Sequence, residues 1–359
     1  MKRIPLLNVV MLVMLLTAVL IVVAPVGLEA ADTAAADEWG ERQDGGYYRL
    51  VDLDGKFVTE TSLDIGVDDV YISEDNVRYV IDRVSGDTVY ARNEGQERMP
   101  AIYDQQGAVV AFWQWAAGMA SGNKGAIGIY QTHSDESYQP TSGTTSATPR
   151  GDIYEVGKAL AASLEKAGYQ VVFSDNVHLP HDGQAYVRSR RTAAELSRQG
   201  PVTLIDIHRD AIPNPSQYRA TVNGEQLSQV RLVVGRQNQN MATNLAYAKR
   251  IKAVADKKYP GLIKGIFFAK GNYNQDLGPR MILLEFGTHT TTLQEASKAA
   301  ALMADIIPAA AGLAPGTGGT ASSQFGKTGL TSALWILGLA AVGAGIWYFV
   351  NKEKRRSRS

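Results

Sequence analysis

The chain has 359 residues, enough for two modest domains or one large one with appendages, and its 45% apolar content supports a sizeable core. Lysine plus arginine equal aspartate plus glutamate at 36 each, which removes any general electrostatic case for nucleic-acid binding. The chain has no cysteine, so disulfides and thiolate metal sites are excluded, and any metal must be held by His, Asp, Glu or water.

In chain order, Lys2-Arg3 precede an uncharged apolar run from Ile4 to Leu28, so residues 1–31 read as a signal peptide or an uncleaved signal anchor. Ala30 and Ala31 permit cleavage, while the length of the run favours an anchor. Residues 32–97 read as a small antiparallel β module. "YYRLVDLDGKFV" alternates about Asp54-Gly55, and "DVYISEDNVRYVIDRVSGDTVYAR" repeats the pattern with turns at Glu74–Asn76 and Ser85–Asp87. A connector, 98–125, carries the apolar aromatic patch "AVVAFWQWAAGMA", read as a packed helix.

From residue 126 to 311 the rhythm changes. Strands are predicted at 126–130, 169–174, 202–207, 230–235, 265–269 and 281–286, and helices at 153–167, 186–199, 240–258 and 292–311. Continuous apolar strands alternating with amphipathic helices give an α/β fold, a largely parallel sheet flanked by helices. Residues 312–329 are a Gly/Ser/Thr linker, which as a flexible coil spans on the order of 23 Å. Residues 330–350 are a predicted transmembrane helix of roughly 31 Å, with Trp335 near one end and Trp347 and Tyr348 near the other. The tail 351–359 is basic, its last eight residues holding five bases and one acid. The positive-inside rule then keeps both basic ends in the cytoplasm and residues 32–328 outside.

Ligands of open α/β sheets bind beyond the carboxyl ends of the strands. Three predicted strands deliver polar groups there. One runs into "YQTHSDESY", with His133, Asp135 and Glu136; one ends in "DIHRDA", with Asp206, His208, Arg209 and Asp210; the last carries Glu285 in "MILLEF". Imidazole and carboxylate donors from separate strands suit Zn2+, whose catalytic sites use three protein ligands and keep one position for water. The favoured assignment is His133, Glu136 and His208 as ligands with Glu285 as general base, because a charged group in an apolar strand costs free energy unless partnered. Asp135 and Asp152 are the alternatives to Glu136. Asp206, two residues before His208, lies on the same strand face and supports that ring. Arg209 and Asp210 are assigned to substrate contact or to support of the ligands. "VHLPHDG" places His178 and His181 on the same edge, with His181 and Asp182 a reserve ligand pair, and His289 follows Glu285 closely.

These stretches resemble the stage II sporulation protein P family of cell-wall hydrolases across about residues 126–311. The likeness rests on "IYQTHSDESY", "DIYEVGKAL", "HLPHDGQAYVRSRRTA", "DIHRDA", "VVGRQNQN", "YPGLIKGI", "YNQDLGP" and "LLEFGTHT". The family typically has histidine where this chain has Gln131, which makes His133 the ligand of that pair. The resemblance implies an amidase-like fold and zinc-dependent cleavage of the N-acetylmuramoyl-L-alanine amide of peptidoglycan. It also implies endopeptidase action on stem-peptide cross-links during sporulation engulfment, beside the stage II sporulation proteins D and M. Carried over, it puts the metal on His133, Glu136 and His208, the base on Glu285, and Asn274, Gln275 and Asp276 of "YNQDLGP" along the substrate cleft. The enzyme would sit at the cell membrane, facing the wall. A non-catalytic wall-binding protein and a zinc hydrolase of another wall substrate remain the alternatives.

Overall fold

The computed structural model describes residues 40–42, 44–102 and 125–313. The expected signal segment, the transmembrane helix, the basic tail, the aromatic patch of the connector and all but the first residues of the linker lie outside the described residues. Among those described, no helix is long and apolar enough to cross a membrane.

The N-terminal strands are β1 (Tyr48–Asp52), β2 (Phe57–Thr61), β3 (Val70–Ser73), β4 (Val77–Ser85) and β5 (Thr88–Gln96). Their turns fall where the polar dipeptides predict. Gly55 and Gly86 turn at φ 83° and 59°, a region that glycine enters without the steric penalty a Cβ brings. The second half contains β6 (Ile127–Tyr130), β7 (Val171–Phe173), β8 (Thr203–Asp210), the hairpin β9 (Arg219–Val222) and β10 (Glu225–Ser228), β11 (Val230–Gly235), β12 (Ile263–Ala269) and β13 (Met281–Thr288). Its long helices are α1 (Ile153–Lys166), α2 (Ala185–Arg198), α3 (Met241–Lys258) and α4 (Leu293–Ala311). In α1 the buried residues Ile153, Val156, Gly157, Leu160 and Leu164 recur at helical spacing and form one apolar stripe. In α4 a capping box ties Thr292 to Glu295 at the start, and Gly312 ends the helix at φ 77°.

All strands but the β9–β10 hairpin form one sheet, ordered β2-β1-β5-β4-β3-β12-β11-β13-β8-β6-β7. Two expectations change here. The N-terminal strands are not set apart: β3 pairs antiparallel with β12, Ile72 opposite Ile266 and Tyr71 opposite Phe267, so the sheet continues through them. They are not wholly antiparallel either, since β1 runs parallel to β5. The sheet is mixed rather than largely parallel. β7, β6, β8 and β13 run parallel, but β11 runs antiparallel to β13 while parallel to β12. The cause is the connections. A parallel return needs a crossover, usually a helix, and α1, α2 and α3 supply it after β6, β7 and β11. No α-helix lies between β8 and β11 or between β12 and β13, and at both places the chain reverses.

Side chains of successive strand residues face opposite sides. Ile205, Ile207, Leu232, Val234, Ile282 and Leu284 point into the larger core, beneath α1, α3 and α4. Val233, Phe267 and Leu283 point the other way, against Leu50, Leu63, Ile65 and Tyr186. Asp206, His208 and Asp210 alternate with the residues of the larger core, so they belong to this second face, which the N-terminal segment helps to cover.

Candidate metal centre

Beyond β6 the chain from Gln131 to Tyr138 is fully buried although most of it is polar. Asp206 of the neighbouring β8 holds it in place: its carboxylate accepts from Thr132 N (2.8 Å) and Thr132 Oγ1 (2.6 Å). That fixes His133, whose Nδ1 lies 2.9 Å from Glu136 Oε1. His208 Nδ1 approaches the same oxygen at 3.3 Å, and the two imidazoles meet edge-on with centroids 4.7 Å apart. The other oxygen, Glu136 Oε2, accepts from Arg209 N (2.8 Å). His208 Nε2 is 3.1 Å from Asp206 Oδ1, near enough for ion pairing but outside hydrogen-bond geometry.

His181 completes the group. Its ring stacks on His133 at 3.9 Å, its Nδ1 pairs with Asp135 Oδ1 at 3.0 Å, and its Nε2 lies 3.6 Å from Glu41 Oε2. Glu41, His133, Glu136 and His181 each offer a donor atom within 4.8 Å of the others, with His208 adjoining through Glu136. Nitrogen and carboxylate oxygen are the donors zinc takes, and carboxylates on the remaining imidazole nitrogens are the usual support of histidine ligands. The residues therefore fit a zinc-type ion.

The electrostatics fit a site built for a cation. Burial lowers the His133 pKa, and the neighbouring His181 lowers it further. Burial also opposes a charge on Glu136, but His208, Arg209 and His133 outweigh it and hold the carboxyl well below its usual range. His181 is raised to about 10: burial works against its proton, and Asp135 and Glu41 win.

Glu285 stands beside His208 in the β13–β8 register and opposite Arg231 of β11, so the three form a row across the sheet. Its Oε2 accepts from Tyr218 Oη at 2.9 Å and lies 3.6 Å from Arg231 Nη1. Burial, then the nearby Asp210, raise its pKa well above the carboxylate range, and Arg231 offsets this only in part. Asp210 accepts from Ser62 N and Oγ, from Tyr218 and from Arg231, and so ties the segment after β2 to the site.

Other predicted residues do structural work. Asp152 accepts from Tyr138 N and Ser142 Oγ ahead of α1, and Asp135 serves His181, which leaves Glu136 as the carboxylate among the imidazoles. His178 spends both ring nitrogens, on Gln131 O and Thr192 Oγ1. Arg209 also binds Thr145 O. In "YNQDLGP", Asn274 donates to Tyr186 O, Gln275 bonds Gly235 N and Val233 O, and Asp276 takes a bidentate ion pair from Arg190. This loop braces α2 and the end of β11 with the very side chains expected in the cleft. The buried Gln131 amide lies against Gly157 of α1 and has no hydrogen-bond partner. Sequence reasoning missed Glu41, Tyr186 and the Tyr218–Arg231 pair. Arg231 is a charge within an apolar strand and Tyr186 lies within a quoted motif, but nothing local marks Glu41, which reaches the centre because its backbone bridges to Leu63.

The fold and site define an α/β protein with a buried His/Glu centre at a strand-end edge. The chain belongs to the family described as Stage II sporulation protein P (SpoIIP), whose profile it matches over residues 75–308, more than half its length. It is 32% identical over 207 residues to Stage II sporulation protein P of Bacillus subtilis (strain 168), covering 52% of this chain and 51% of that protein, so it spans about half the length of that relative. Among solved structures it is similar to the CwlD amidase from Clostridioides difficile in complex with the GerS lipoprotein (14% identity, TM-score 0.33, covering 52% of this chain and 95% of that one). It is also similar to the N-acetylmuramyl-L-alanine amidase Ami1 from Mycobacterium smegmatis (14% identity, TM-score 0.35, covering 52% and 94%). These structural likenesses are too slight to carry an argument.

Proposed function

We propose that this protein is a zinc-dependent peptidoglycan hydrolase that cleaves the N-acetylmuramoyl-L-alanine amide, with stem-peptide cross-links as a second substrate, during sporulation engulfment. The single observation that supports the reading is the convergence of His133 and His208 on one buried oxygen of Glu136, with Glu285 next to His208 in the sheet register. Family membership supports the sporulation setting. In this reading His133, Glu136 and His208 hold the ion. A bound zinc ion supplies Lewis acidity toward a carbonyl oxygen and toward water.

The chain's own residues do the rest. Arg209 N–H fixes one oxygen of Glu136, so the other faces the imidazoles. Asp206 sets the strand-end turn and backs His208. Glu285, in the ionised form that Arg231 at 3.6 Å supports, takes the proton of the attacking water and returns it to the departing nitrogen. Residues 126–311 form the hydrolase portion, with residues 1–31 a signal peptide or signal anchor and 330–350 a transmembrane helix that holds it at the membrane, facing the wall, beside the stage II sporulation proteins D and M.

The test uses the full chain purified in detergent. Zinc is measured, and purified peptidoglycan is digested before and after chelation. The expected result is about one zinc per chain, release of new amino termini without acetate, loss of release on chelation and recovery with zinc. Digestion that survives complete metal removal overturns the reading. So does a zinc-loaded chain that binds wall without cutting it. Acetate release transfers the chemistry to a deacetylase.

A further inference from the structure

Glu41 precedes the segment that matches the family profile, and no motif marks it. It is nevertheless built into the centre. Gly40 O accepts from Asp64 N (2.7 Å) and Arg42 N donates to Ser62 O (2.9 Å), so the backbone on either side of Glu41 is paired to the segment after β2. The carboxylate accepts from Ser62 Oγ at 3.2 Å, faces His181 Nε2 at 3.6 Å, and lies 3.8 Å from Arg209 Nη1. It is one of the four groups whose donor atoms share a 4.8 Å neighbourhood with His133 and Glu136.

We infer that Glu41 is a further ligand of the metal held by His133 and Glu136, and that it closes the centre to water. The inference rests on the metal reading above. A tetrahedron with bonds of about 2.0–2.1 Å has edges of about 3.4 Å, so donor atoms that lie within 4.8 Å of one another would draw in by up to about 1.4 Å around an ion. With His133, Glu136 and His208 as above, Glu41 makes four protein ligands, the number of a closed site, whereas a catalytic one keeps a position for water. His181 is the positioning residue: Asp135 fixes its Nδ1, which leaves Nε2 to hold the Glu41 carboxylate. The N-terminal strands thereby gain a role, since their sheet pairing carries the segment after β2, and with it Glu41, to the metal centre. Hydrolysis then requires Glu41 to be displaced.

The plain alternative is that Glu41 only neutralises His181 and Arg209. Cobalt(II) separates the two. The full chain in detergent is stripped of metal and titrated with cobalt as wild type, Glu41→Gln and Glu41→Ala, and azide is then added to each. Glu41→Gln keeps an oxygen for Ser62, and melting temperatures of the metal-free proteins confirm folding. The expected result is at least about tenfold weaker cobalt binding in both variants, a changed cobalt absorption band, and a band that responds to azide in the variants but not in the wild type. A folded Glu41→Gln chain with wild-type affinity and spectrum overturns the inference alone, as does an azide response already present in the wild type. A wild-type chain that takes up no cobalt overturns the metal reading and this inference with it.

Discussion

Glu285 is a carboxyl in an apolar strand, and its surroundings favour the protonated form through burial and Asp210. Glutamine keeps the shape and neutrality of that form but cannot take the ionised form that accepts a proton. Glu285→Gln is therefore expected to keep its zinc and its melting temperature while peptidoglycan hydrolysis falls roughly 10²–10⁴-fold. A purely structural carboxylate would give the reverse, a lowered melting temperature with a normal rate per folded molecule. The histidines divide in the same way. His133 and His208 share one oxygen of Glu136, whereas His178 spends both nitrogens inside the fold. His133→Ala and His208→Ala are expected to lose most bound zinc, by elemental analysis of the purified chain. His178→Ala keeps it but melts lower, because its buried partners are left unpaired. Zinc-replete His133→Ala protein would remove that residue from the ligand set.

The element that joins the two halves of the molecule is β12. A Cβ at Gly265 would lie 2.6 Å from Ile72 O and 2.6 Å from Tyr71 Oη, closer than real side chains come. Tyr71 Oη donates to Lys264 O at 2.9 Å in the same place. Gly265→Ala must therefore push β3 from β12, at a cost on the order of 1–3 kcal/mol. Urea unfolding would register it as a lowered midpoint, and unchanged stability would mean that β3 does not pack so closely. The β9–β10 hairpin was equally open to reading. Asn223-Gly224, both at positive φ, is a strong hairpin turn in sequence, set between two longer apolar runs.

At the scale of the molecule, the buried Lys264 links stability to pH. Burial, then Arg231, push its pKa down to about 7, against the partial support of Asp210, Glu74 and Glu60. Its ammonium donates to Gln217 O and sits over the Tyr218 ring. A base depressed in the folded chain is protonated more readily in the unfolded one, so stability rises with pH between about 7 and the unfolded value of about 10.4. The slope is at most roughly 1.4 kcal/mol per pH unit for one proton. Lys264→Met is expected to flatten the difference in urea midpoint between pH 7 and pH 9. Equal slopes in both proteins would show that Lys264 does not titrate there. The membrane arrangement proposed from the two apolar runs has its own check: protease added to intact protoplasts should digest residues 32–328 and spare a tag at Ser359.

The strand and helix positions of residues 126–311 were legible because hydrophobic periodicity and turn residues are local properties. β11 was predicted at its observed bounds, 230–235, and α1 lost only Ala167 from its predicted end. The mixed direction of the sheet is implicit in where helices do and do not separate strands, whereas continuous apolar runs alone predict a largely parallel sheet. His133, Glu136, His208 and Glu285 stand out in sequence because polar residues at the ends of, or within, apolar strands contrast with their neighbours. Glu41 carries no such mark, and neither do the side-chain bonds that commit Asn274, Gln275 and Asp276 to bracing. Those depend on which distant backbones lie within a hydrogen bond of each other, as Glu41 lies by Leu63 and Ser62 by Asp210. Local pattern thus determined the elements and the polar strand ends. Long-range pairing, β3 with β12 above all, decided which groups share the centre, because the free energy that places them arises only once both surfaces are buried together.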